Sequence, residues 1–292
     1  MQIGKTIRKY RKESGMTQEE INAIVLEADQ RIKTSEYDAG FLWAKSILEN
    51  YPNCLMLIWQ LATILDAQRL FGTVANASGY DSYILDCYNR VLQSEDETLR
   101  TQAAESLFSY YLRNEQYDMA EKYLEYYSLQ NPQRKLKQAI IYHKTGRMNE
   151  AYKTSEELLF SGYQILNMTL LNLYHLSMEE KDFKKAHLIV DKQENLAKLF
   201  EMGKYHEVSF KLELATMEKD ADTVLNIMET MLDSLNDITG YTQSPLYEHM
   251  DFKQLNSTFL EDMKKELLLC FQDESTYGFL KDNERWKNLL SE

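Results

Sequence analysis

The residues best equipped for acid–base or metal chemistry are five histidines, His143, His175, His187, His206 and His249. The zinc-protease pattern needs two His four apart on one helix face with a Glu between them. In "HEVSF" (206–210) the Glu is present, but Phe210 stands where the second His belongs. Cys54, Cys87 and Cys270 are odd in number and far apart, which rules out paired zinc spacing. Among apolar neighbours they are expected to be buried thiols of a reducing, cytoplasmic compartment. No glycine-rich phosphate loop and no nucleophile elbow occurs. Carboxylates are abundant but interleaved with Lys, as in "MEEKDFKK" (178–185), the pattern of a solvated helix face. The expectation is a chain without catalysis, metal or cofactor.

The chemistry that remains is contact. Lys5, Arg8, Lys9, Arg11 and Lys12 crowd the first 15 residues against Glu13 alone, a balance of +4. Taking that +4 from the net −13 leaves −17 on the rest, a basic arm on an acidic body. Such a body cannot bind nucleic acid over its whole surface. The 292 residues suffice for a large core, and only 10 Gly and 3 Pro punctuate them, which favours helix over sheet. The opening "MQIGKTIRKY" lacks the apolar region of a secretory signal, and no apolar run is long enough to span a bilayer. No membrane partner is expected.

The elements that position any contact surface repeat themselves. "TSEYDAGFLWAKSILENYPN" (34–53) and "NEQYDMAEKYLEYYSLQNPQ" (114–133) both place a small residue three after a Tyr, then an apolar helical run, then Pro. Gly40 and Ala120 are those small residues, and looser copies put Ala151, Ala186 and Val224 there, with Cys87 in an enlarged unit between. From Ala120 onward the site recurs after 31, 35 and 38 residues, the period of two-helix solenoid units. A small side chain lets two antiparallel helices cross closely, and the many Tyr fill the groove around it. Each unit also has a first helix: Ala104, Leu107, Phe108 and Tyr111 fall on one face, and "TGR" (145–147) ends the next one.

These units resemble tetratricopeptide repeats. The match is best in 101–134, where Leu107, Tyr111, Tyr117, Ala120, Leu124 and Pro132 fit the family pattern; the signature Trp and Gly are mostly missing. The implied fold is all-α, a right-handed superhelix of helical hairpins over 17–235. "NDITGYTQSPLY" (236–247) then breaks the rhythm, and capping helices close the array up to residue 292. First helices line the concave side of such a superhelix. The repeat register projects Glu105, Ser109 and Leu112 there, then Leu136, Ile140 and His143, then Leu171, His175 and Met178, a groove suited to a peptide or protein ligand.

Residues 1–16 resemble the first helix of lambda-repressor/Cro-like helix-turn-helix domains, and Thr17 and Gln18 the entry to the second, through Ile3, Gly4, Ile7, Arg8, Arg11, Gly15, Met16, Thr17 and Gln18. Thr17 and Glu20 form a capping box for the following helix. The family's turn and recognition helix do not follow: "LEAD" (26–29) is helix-forming. A deletion that joined two domains and a basic cap that matches by coincidence both fit. The resemblance implies a peptide- or protein-binding module of a bacterial transcription regulator. It would contact DNA backbone, through Lys5, Arg8, Lys9, Arg11, Lys12 and Gln18, only weakly or not at all. Its partner would be a second copy or an intact regulator. The alternative is a general interaction scaffold unrelated to transcription.

Overall fold

The computed structural model describes residues 16–34, 37–71, 77–253, 255–256 and 258–291. The basic arm, with Lys5, Arg8, Lys9, Arg11 and Lys12, lies outside them. Among the described residues every regular element is helical, and none is long and apolar enough to cross a membrane. Two compact units divide the chain at Thr145, inside the expected 17–235 array.

The first unit stacks three hairpins. They are α1 (Gln18–Thr34) with α2 (Tyr37–Asn50), α3 (Leu55–Phe71) with α4 (Ala77–Leu92), and α5 (Glu97–Arg113) with α6 (Tyr117–Lys122), which tightens into a 3-10 turn to Tyr126; α7 (Pro132–Lys144) follows. Each first helix also packs on the next first helix, α1 on α3 and α3 on α5. The expected capping box starts α1: Glu20 accepts from the Thr17 N–H at 2.6 Å, and Thr17 Oγ1 accepts from the Glu20 N–H at 3.1 Å. Asp96 caps α5 and Asn131 caps α7, whose first residue is Pro132. Apolar residues four and three apart on α3 (Leu57, Ile58, Leu61, Leu65) meet Ile84, Tyr88 and Val91 of α4 in one core.

The second unit opens on α8 (Met148–Glu179), which takes in both the small site at Ala151 and the projected first-helix residues Leu171, His175 and Met178, where hairpin repeats would use two helices. They are one helix of 32 residues, about 48 Å long. Nothing there stops a helix. No Pro or cap intervenes, Ser161 Oγ bonds back to the Glu157 carbonyl at 2.6 Å, and a glycine weakens a helix without removing its hydrogen bonds. Next come α9 (Phe183–Leu199), α10 (Lys204–Val208), α11 (Leu212–Met217) and α12 (Ala221–Asp233). Short 3-10 turns fill 235–247, as the Gly and Pro there predict. The closing helices are α13 (Phe259–Phe271), α14 (Glu274–Tyr277) and α15 (Glu284–Leu290). Trp286 ties α15 to α13 by donating to the Phe271 carbonyl at 3.1 Å.

Gly40, Cys87, Ala120, Ala151, Ala186 and Val224 are all buried. Five residues before each of the last four lies a left-handed residue ending a helix: Glu115, Gly146, Lys181 and Lys219. After three of them the next N–H reaches back to close the helix end, Gln116 to Tyr111, Asp182 to Ser177 and Asp220 to Ala215. One turn geometry thus recurs in register with the small site, across both units. Cysteine burial is as expected for Cys54 and Cys87, whereas Cys270 is exposed: it lies on the outer side of α13, whose inner side buries Phe271.

Candidate functional site

In the first unit, a cavity of about 600 Å³ opens between α3, α5 and the segment after α6. Trp59 and Thr63 supply one wall, and Thr98, Thr101, Gln102, Glu105 and Ser106 supply the other. Tyr127, Asn131 and Gln133 close one side. Residues 98, 101/102 and 105 lie one turn apart along α5, so a single helix face presents them.

The hydroxyls of Thr63, Thr101 and Ser106 are satisfied from within. Trp59 Nε1 donates to Ser106 Oγ at 3.2 Å, and Ser106 donates to the Gln102 carbonyl at 3.1 Å. Thr63 donates to the Trp59 carbonyl at 2.8 Å, and Thr101 to the Glu97 carbonyl at 2.9 Å. Glu105 accepts twice, from the Tyr127 hydroxyl at 2.5 Å and from Lys137 Nζ at 2.6 Å. Burial, and then the bond to Glu105, raise the Tyr127 pKa, so the phenol stays protonated and donates. The Lys137 side chain, only 10% exposed, lies over the rings of Phe108 and Tyr127, so its charge is spent inside the wall. One acceptor is left over: Gln102 Oε1 is buried without a hydrogen-bond partner. Such an atom costs free energy until a donor reaches it.

Of the nine projected groove residues, Glu105 lines this cavity; Ser109, further along α5, is half-buried outside it. Leu112 packs into the core around Phe108 and Ile141. Leu136 and His143 are exposed on α7, with Ile140 half-buried. On α8, Leu171 and Met178 pack against Tyr174, Ile189 and Val190, while His175 faces solvent. Of the three projected α5 residues only Glu105 faces the cavity, whose α5 lining runs from Glu97 to Ser106, the N-terminal part of the helix. Trp59 was missed, although a Trp beside Gln60 in an otherwise apolar run was the available signal.

Glu156, buried on α8, accepts from both the backbone N–H and Nδ1 of His249, each at 2.7 Å, and Tyr152 stacks on that imidazole. His187 pairs with Glu218, and His206 with the Ile238 carbonyl. Among the described residues no three His, Cys, Asp or Glu side chains gather as a metal site would require. A larger depression of about 870 Å³ in the second unit is walled by turns and loop residues around Tyr241 and Phe252. The α3/α5 cavity is the better candidate, because helices hold its walls and it alone of the two contains an unsatisfied buried acceptor. No known family model matches the chain, and no curated protein matches it in sequence.

Proposed function

We propose that the chain is a peptide- or protein-recognition module of a transcription regulator, built from tetratricopeptide-like hairpins, and that it cannot read DNA sequence alone. The observation that carries this reading is the α3/α5 cavity, with an indole on one wall and the unpartnered Gln102 acceptor on the other. An extended peptide offers a backbone N–H to such an acceptor and a side chain to such a ring. The link to transcription rests on the resemblance of residues 3–18 to a Cro-like first helix, with a recognition helix missing behind it.

Selection of a random peptide library against the full chain tests the proposal. Enriched peptides should bind with a Kd of about 1–100 μM and lose at least about tenfold with Trp59→Ala or Gln102→Leu. No enrichment, or enriched peptides indifferent to both substitutions, would overturn the cavity as the site. For DNA, titration of duplex across a salt series should show no sequence preference. Sequence-selective binding with a steep salt slope would mean that the opening residues still belong to a working reader.

A further inference from the structure

Among the described residues that line the α3/α5 cavity none is cationic, whereas Glu97 and Glu105 are carboxylates. Cations close to them in sequence are engaged elsewhere. Arg100 donates to the Ser94 carbonyl at 2.8 Å, and Arg134 to the Tyr127 carbonyl at 2.9 Å. Lys137 is committed to Glu105, which leaves the exposed Glu97 as an uncompensated negative charge of the lining. The larger depression in the second unit, by contrast, includes Lys253.

The way Glu105 is held is informative. Its two donors lie on the protein side: Tyr127 is buried and the Lys137 side chain is 10% exposed, while the Glu105 side chain is 46% exposed. A carboxylate fixed from behind in this way keeps its outer lone pairs for a ligand. On the facing wall, the bond from Trp59 Nε1 to Ser106 pins the indole against the next residue of α5. One turn before Ser106, Gln102 Oε1 accepts from nothing. Carboxylate, amide oxygen and indole face share one complement: a planar, positively charged group that donates several hydrogen bonds.

We infer that the cavity takes an arginine side chain of the peptide it binds. The inference rests on the peptide-recognition reading and narrows it. A guanidinium has five N–H donors in one plane and no acceptor, so it stacks on an indole while its edge bonds to carboxylate and amide oxygens. Other side chains fit less well. An acidic one meets like charge at Glu97 and Glu105, and an apolar one leaves the acceptors unpaired. A lysine supplies charge without the plane. The net charge of −13 also draws a cationic ligand toward the chain.

The test follows the indole N–H of Trp59 in the full chain by heteronuclear NMR, the signal being assigned by its loss in Trp59→Phe. Nα-acetyl-arginine amide, titrated to about 20 mM, should give a saturable shift with a Kd of about 1–10 mM. Nα-acetyl-citrulline amide, which keeps the shape and loses the charge, should bind at least about tenfold more weakly, and Nα-acetyl-lysine amide should also bind more weakly than arginine. Glu105→Gln should erase the preference for arginine over citrulline. Because that change also strands Lys137, Glu97→Gln at an exposed position is the second variant, and it should weaken arginine by about threefold or more. No saturable shift, equal or tighter binding of either analogue, or a preference untouched by both substitutions would overturn the inference. The broader reading fails separately. Library peptides that require Trp59 but show no enrichment of arginine would leave peptide recognition standing and overturn the arginine pocket. An unenriched library beside a saturating arginine titration would do the reverse.

Discussion

At the scale of single residues, the small site has a direct steric cause. A Cβ added to Gly40 would lie 2.7 Å from Ile32 Cγ1 and 3.3 Å from Ile32 Cα, so α1 and α2 cross at a distance only glycine allows. Gly40→Ala should cost about 1–3 kcal/mol in urea unfolding. Gly162→Ala is the internal contrast: its Cβ would meet nothing within 4 Å and it sits inside a continuous helix, so it should gain about 0.5–1 kcal/mol. A turn at 162 would remove that gain. His206 carries a pH signature. Burial lowers its pKa below the ordinary 6.5, opposed by the bond to the Ile238 carbonyl. The unfolded chain therefore takes up this proton before the folded one, and stability falls as the pH drops below about 6.5. Between about pH 7.5 and 5.5 the wild type should lose more stability than His206→Gln, as measured by denaturant titration at each pH.

At the scale of elements, the helix-ending turns explain how degenerate sequences keep one geometry. Glu115, Lys181 and Lys219 adopt the left-handed conformation that suits glycine, and only Gly146 has the residue the turn favours. Lys181→Gly and Lys219→Gly should each stabilise by roughly 0.5–1 kcal/mol in thermal or urea unfolding, and Gly146→Ala should destabilise by a similar amount. The opposite signs at equivalent positions separate a backbone effect from loss of a side-chain contact. Helix ends were the most legible feature of the sequence: the box at Thr17–Glu20, the turn at Gly146 and the break after residue 235 all stand where local chemistry put them. Local rules also explain the main discrepancy. No Pro lies between 158 and 178, and the helix runs unbroken through Ser161 and Gly162, so the repeat period yielded to the chain's own helical continuity.

At the scale of the molecule, the apolar clusters respect the boundary at Thr145. Among the described residues, those built on α1–α7 draw none from beyond it, and those around α8–α9 and α12–α15 draw none from before it. Each unit thus has apolar clusters of its own, as an independently folding unit requires. Residues 146–292 expressed alone should therefore be helical by circular dichroism and unfold cooperatively. A non-cooperative melt of that fragment would mean that its core needs the first unit.

The sequence by itself determined the all-helical class, the positions of the small sites and the main stops, because each depends on residues within a turn or two of one another. It also placed Glu105, Ser109 and Leu112 on one face of α5. Which end of that face stays open was decided by tertiary packing. Leu112 is drawn under α7 by Phe108 and Ile141, while Trp59, forty-seven residues from Ser106 in sequence, is brought to the other end by the stacking of α3 on α5. The pairing of Glu105 with Tyr127 and Lys137 and the isolation of Gln102 Oε1 have the same origin. Helical periodicity names the face of a helix; only the neighbours that close over it decide which part is left for a ligand.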